Sequence, residues 1–223
     1  MKFYGQWKQD KYLYETFFKD KLNGFFVDVG AGDGILFSNT YFFEKNLNWN
    51  GIVIEPQKGF FKKLKKNRPH SRCYNYAINL KESQETMLGY SHTAGLKKSL
   101  APEYLEHWAA VWEDDCPWLG KPFKKNLNKQ IVKTIPLRNI LKEINYIDLL
   151  KIDVEGGELG VLRSMDWFIP VKVICIEVTG EAIYPIGHKT SEQESETTDF
   201  IKNKGFVFNK RLGLDEIWIN SAL

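Results

Sequence analysis

Short apolar runs, many of them β-branched, alternate along this chain with segments whose apolar positions recur every three or four residues. That pattern predicts strands and helices in turn. Gly24-Phe25-Phe26-Val27-Asp28-Val29 is apolar on both faces and ends at glycines, as a buried parallel strand would. Tyr12, Leu13, Phe17 and Phe18 precede it at helical spacing. Tyr41 to Leu47 follows as a helix that Ser38, Asn39 or Thr40 can cap. The rhythm continues with a strand over 51–55, a helix over 57–66, a strand over 72–78, a helix over 137–144 and a strand over 147–152. A helix over 157–165 and a β-branched strand over 171–178 come next. Alternation of this kind predicts a doubly wound α/β fold with a mostly parallel sheet.

Two segments depart from the rhythm. Phe206–Lys210 and Leu214–Asn220, separated by Arg211-Leu212-Gly213, predict a C-terminal antiparallel hairpin. Residues 79–130 are long, aromatic and poor in β-branched positions, with Trp108, Trp112, Trp118 and Phe123 among them. This stretch reads as an insertion after the third strand, on the substrate side of the sheet. No repeat, low-complexity tract or Pro/Gly-rich linker divides the sequence, so a single domain over 1–223 is expected.

Composition narrows the function classes. The 31 Lys and Arg against 28 Asp and Glu leave a net charge of +3, too mild for a nucleic-acid partner, and neither DNA nor RNA is expected. No apolar run reaches the ~18–20 residues of a membrane span. The first residues contain Gln6, Lys8, Gln9, Asp10 and Lys11 in place of the apolar stretch of a secretory signal. Cys73, Cys116 and Cys175 are odd in number and widely spaced, which indicates neither a disulfide framework nor a thiolate zinc site. A cytoplasmic setting is the expectation.

The strongest chemical signal is Val27-Asp28-Val29-Gly30-Ala31-Gly32-Asp33-Gly34, three alternate glycines directly after a strand. A dinucleotide fingerprint would place its third glycine at position 35, where Ile35 stands, which argues against NAD. Glycines there let the backbone approach a ligand, and the N–H groups of the following helix suit a carboxylate or phosphate. Glu55 ends the second strand, where its carboxylate can accept both hydroxyl protons of a ribose. An adenosine-containing ligand follows.

Together, Asp28-x-Gly30-x-Gly32-x-Gly34 and Glu55 resemble the class I S-adenosylmethionine-dependent methyltransferases. More specifically, the chain resembles the FkbM family. The shared features are Gln9-Asp10, Phe26-Val27-Asp28-Val29-Gly30, Ser38-Asn39-Thr40, Phe43-Glu44, Trp49-x-Gly51 and Ile54-Glu55-Pro56, then Leu149-Leu150-Lys151-Ile152-Asp153-Val154-Glu155-Gly156 with Glu158. The last segment is the most specific, combining a strand end, two acids and a turn glycine. The resemblance implies a Rossmann-like sheet of seven strands with S-adenosylmethionine across the ends of the first two. It implies cofactor contacts from Asp28, Gly30, Ala31, Gly32, Asp33, Gly34, Ser38, Asn39, Glu55 and Pro56. Asn79, placed at the end of the third strand, stands where many such enzymes carry an acid near the adenine.

In the sheet order that the resemblance implies, Asp153 and Glu177 end neighbouring strands, so their carboxylates can converge on Mg²⁺ or Mn²⁺. Glu155 and His92 join Asp153 and Glu177 as candidates for moving the acceptor's proton, with His107 as a further histidine on the insertion. Glu158, near a helix start, has a structural role open to it. The function implied is O-methyl transfer to a sugar hydroxyl of a glycan or glycosylated small molecule. A lipid, polyketide or amino-acid-like acceptor is the enzymatic alternative. A non-catalytic cofactor-binding module of a glycan-synthesising assembly is the alternative from another class. Trp108, Trp112 and Trp118 can stack on sugar faces or form a buried stripe.

Overall fold

The computed structural model describes residues 1–89, 91–101, 129–178 and 191–223. The chain opens with α1 (Gln9–Leu13) and a π-type turn over Tyr14–Phe18, then enters β1 (Phe25–Val29), α2 (Tyr41–Leu47), β2 (Asn50–Ile54), α3 (Lys58–Asn67) and β3 (Arg72–Tyr74). The strands β4 (Ala77–Ile78), β5 (Ser83–Leu88), β6 (Gly95–Leu96) and β7 (Lys129–Ile135) follow. They precede α4 (Leu137–Ile140), β8 (Ile147–Ile152), α5 (Glu158–Ser164), β9 (Val171–Glu177), α6 (Ser191–Asn203), β10 (Phe206–Leu212) and β11 (Asp215–Asn220). Among the described residues no helix is long and apolar enough to cross a membrane.

The expected seven-stranded sheet is present, in the order β10-β11-β9-β8-β1-β2-β3. Strands β3, β2, β1, β8 and β9 run parallel, while β11 is antiparallel to both β9 and β10. All six residues of β8 are buried, which explains its unbroken apolar character. One face of the sheet packs Val27, Val29, Leu150, Ile152, Ile174 and Ile176 against α4, α5 and α6. The other packs Phe26, Val53, Leu149, Val173 and Cys175 against α1, α2 and α3 through Leu13, Phe42, Phe43 and Leu64. The chain winds outward from β1 to β3 and returns at β8 on β1's other side. This reversal opens a crevice at the carboxyl ends of β1 and β8.

The third strand differs from expectation. Its pairing with β2 stops at Tyr74, and Ala77–Ile78 joins a second sheet of order β4-β7-β5-β6. The excursion therefore starts before Asn79, and its described part is β-structure, with β7 antiparallel to β5 over Ser83–Leu88. Trp108, Trp112, Trp118, Phe123, His107, Cys116 and His188 lie outside the described residues. The helix after β7 is shorter than its apolar pattern suggests, ending at Ile140, and α6 was not anticipated from its acidic sequence.

Candidate active site

The glycine loop leaves β1 at the crevice. Gly30 has φ +91°, and a β-carbon there would overlap the carbonyl oxygen of Asp153. The Asp153 N–H in turn donates to the Val29 carbonyl at 2.9 Å. Only glycine permits this backbone contact between the two strand ends. Asp33 spends its carboxylate within the loop, accepting the Ile35 and Leu36 N–H groups at 2.9 Å each. Thr40 is the N-cap residue of α2, and Ser38 Oγ in the turn before it accepts the Tyr41 N–H at 3.1 Å. Ala31 is buried in the loop core. Asn39 is buried too, with its amide oxygen unpartnered and turned toward Gly5 beside Gln9 and Asp10.

Glu55 is 3% exposed, and each carboxylate oxygen accepts a backbone N–H, from Gly32 at 3.0 Å and from Gln57 at 2.7 Å. These bonds fix its orientation and leave lone pairs for further donors. Burial pushes its carboxyl up to about 8. The position at the true end of the third strand belongs to Asn75, whose amide donates to the carbonyls of Glu55 at 2.8 Å and Pro56 at 3.0 Å. Asn79 instead accepts its neighbour's Leu80 N–H and lies beside Gly160 of α5. It lines a separate cleft of about 210 Å³ with Lys98, Ser99, Gly157 and Arg163. Asn79 is expected at the end of the third strand, but β3 ends at Tyr74, so Asn75 rather than Asn79 stands at that strand end.

Asp28 is buried on β1, where burial raises its carboxyl from the usual range while the Arg68 guanidinium and the Thr40 hydroxyl pull it back. Thr40 Oγ1 donates to Asp28 Oδ2 at 2.6 Å.

On the acidic side of the crevice the carboxylates of Asp153, Glu155 and Glu177 come together. One carboxylate oxygen from each of Asp153, Glu155 and Glu177 lies within 4.8 Å of the others. Glu155 adopts φ +57°, a left-handed conformation that costs a residue with a β-carbon about 1 kcal/mol or more. Glu158 is a brace, accepting the N–H groups of Val154 and Gly156 at 3.2 Å each. Lys151 is buried behind the cluster, 3.3 Å from Asp153 and 2.5 Å from Asp215. Burial alone would lower its pKa, but the carboxylates of Asp153 and Asp215 overcome this and hold it well above the usual value. The Gln9 amide donates to the other oxygen of Asp215, which ties the N-terminal segment to the centre.

His92 comes to the crevice on a 3₁₀ turn, Ser91–Thr93, carried by the second sheet. Its imidazole lies over Gly32, close enough that a β-carbon there would touch it, and packs between Phe37 and Phe60. Burial lowers its pKa, opposed by the charges of Asp153 and Asp33, so a neutral ring is favoured at neutral pH. Sequence reasoning missed Asn75, Arg68 and Asp215. A lysine inside the apolar run of β8 was the available signal for a buried carboxylate partner.

The family model described as the methyltransferase FkbM domain matches residues 28–208. Among solved structures, methyltransferase FkbM from Methylobacillus flagellatus superposes with a TM-score of 0.51 at 12% identity, over 94% of this chain and 50% of that one. The present chain thus spans half the length of that structure. A TehB-like S-adenosylmethionine-dependent methyltransferase from Corynebacterium glutamicum gives a TM-score of 0.44 at 9% identity, over 99% of this chain and 89% of that one. A methyltransferase from Pyrococcus furiosus gives 0.44 at 8% identity, over 99% and 88%. No curated protein matches the chain.

Proposed function

The chain belongs to the FkbM methyltransferase family, and from that premise we propose that it transfers the methyl group of S-adenosylmethionine to a hydroxyl oxygen, with a sugar ring as acceptor. The observation that carries the reading is the contact between Gly30 and Asp153, which sets the glycine loop against the three carboxylates at one crevice. When bound, S-adenosylmethionine supplies a methyl group made electrophilic by its sulfonium. Glu55 would accept the ribose hydroxyls, and Asp28 with the glycine loop would receive the amino-acid end. The acidic cluster would hold the acceptor hydroxyl toward the methyl carbon. On transfer that hydroxyl's oxygen would take the methyl group, the carbon–sulfur electron pair would stay on sulfur, and a carboxylate of the cluster or neutral His92 would accept the hydroxyl proton.

Asp153, Glu155 and Glu177 form an all-oxygen donor set suited to Mg²⁺ or Mn²⁺. Held there, the ion would lower the pKa of the acceptor hydroxyl. Neighbouring hydroxyls of a sugar match a cluster of this kind, which supports the carbohydrate reading over an apolar acceptor.

The test is a calorimetric titration of S-adenosylhomocysteine into the protein, repeated with Mg²⁺ or Mn²⁺ and after chelation, then a transfer assay over sugar, lipid and polyketide acceptors. Saturable binding and methylated sugar are expected. Absence of binding in every condition overturns the cofactor assignment, and transfer confined to lipids overturns the sugar.

A further inference from the structure

We propose that Arg68 is a positioning residue for the amino-acid end of the cofactor, acting through Thr40 on Asp28 and through Gly34 on the glycine loop. The inference rests on the S-adenosylmethionine reading and assigns a residue outside the motifs that suggested it. Arg68 follows α3, and its side chain is completely buried beneath the loop. The guanidinium stacks on Phe26, 5.0 Å from the ring centre, which fixes its plane. Nε donates to Glu44 at 2.6 Å, one terminal nitrogen donates to the Gly34 carbonyl at 3.2 Å, and the other donates to Thr40 Oγ1 at 3.1 Å.

These contacts dictate a proton direction. A guanidinium only donates, so the Thr40 oxygen accepts from Arg68 and its single proton is left for Asp28, at 2.6 Å. Asp28 is therefore held as an acceptor in one orientation. Glu44 offsets the Arg68 charge, and Lys151 is engaged by Asp215 and Asp153. The other oxygen of Asp28 is thus left to accept from a cationic group such as the α-ammonium of the methionine moiety. A buried ion pair is weak support for stability, since apolar replacements often serve as well. The arrangement here instead ties the Gly34 carbonyl, the Thr40 hydroxyl and, through that hydroxyl, the Asp28 carboxylate on β1 to a single rigid fork.

Two nucleosides separate positioning from general support: S-adenosylhomocysteine carries the amino-acid end, and 5′-methylthioadenosine lacks it. Affinities for both are measured by calorimetry on wild type, Arg68→Met, Thr40→Val and Thr40→Ser, with thermal melts to confirm folding. Arg68→Met and Thr40→Val are expected to bind S-adenosylhomocysteine about tenfold more weakly or worse, the scale of one lost charge-assisted bond. Methylthioadenosine should stay within about twofold, and Thr40→Ser, which keeps the hydroxyl, should match wild type. Should Arg68→Met fail to fold, Thr40→Val decides. Unchanged S-adenosylhomocysteine affinity in the folded variants, or equal losses for both nucleosides, would overturn the assignment. Failure of the wild type to bind either nucleoside removes the cofactor reading itself, and this inference with it.

Discussion

Glu55 holds the clearest residue-scale tension in the crevice, a carboxyl that burial pushes from 4.5 up to about 8 although two backbone N–H groups favour its charged form. Ribose hydroxyls would add donors to that charged form and pull the pKa down, so ligand binding should expel a proton. Affinity for S-adenosylhomocysteine is accordingly expected to rise from about pH 6 to about pH 8. Calorimetry at pH 7 in two buffers of different ionisation enthalpy measures the released proton, and Glu55→Gln should abolish the release while weakening binding at least about tenfold. Zero net release by the wild type would contradict the ribose assignment. The same shift acts on stability with the opposite slope. The folded ligand-free protein keeps a proton that the unfolded chain gives up above 4.5, so this contribution is complete below 4.5 and is lost as pH rises through about 8. Melting temperatures of Glu55→Gln should therefore fall less than those of the wild type across that window.

At the scale of elements, the N-terminal segment and the C-terminal hairpin form one support behind the acidic centre. Gln9 on α1 reaches Asp215 at the start of β11, and Trp7 covers Gly213 in the preceding turn. Gly213 has φ +61°, and its missing side chain is replaced by the Trp7 indole, so Gly213→Ala meets both strain and overlap. A loss of about 1–3 kcal/mol is expected in chemical denaturation, with faster amide exchange in α1 and β11. Exchange confined to the turn itself would show that the two elements are not coupled. Such coupling was invisible in the sequence because its partners are 206 positions apart. What was legible was local: β1, β2, β8 and β9 are buried on both faces and announce themselves as apolar runs, and the glycine loop and Glu55 are read by spacing. By contrast β5 begins with exposed Ser83 and Gln84 and becomes a strand by pairing with β7, whose register sets Ser83 opposite Thr134. Arg68 gave no pattern either, since its role exists only once α3 folds back beneath Thr40.

The whole molecule brings four carboxylates, Asp153, Glu155, Glu177 and Asp215, to the end of one sheet and places the buried ammonium of Lys151 among them. Lys151 lies on Asp215 and Asp153, while Glu155 and Glu177 complete the outer face. A divalent cation held by Asp153, Glu155 and Glu177 would add positive charge facing these carboxylates. Mn²⁺ is expected to bind the ligand-free protein with one-to-one stoichiometry, measured by the loss of its free electron-spin signal. Single changes Asp153→Asn, Glu155→Gln and Glu177→Gln should each weaken it by about tenfold or more. Because these residues come from the β8 loop and the end of β9, equal sensitivity would mean that the two strand ends act as one site. Sensitivity to Asp153 alone would instead assign that residue to the acceptor and its proton. Asp153→Ala should also abolish methyl transfer while reducing S-adenosylhomocysteine affinity less than Glu55→Ala does. The glycine loop meets Asp153 through its backbone carbonyl, a contact that survives truncation of the side chain. A variant without the carboxylate that still transferred methyl groups at the wild-type rate would remove the acidic centre from the chemistry and leave the crevice as a cofactor site alone.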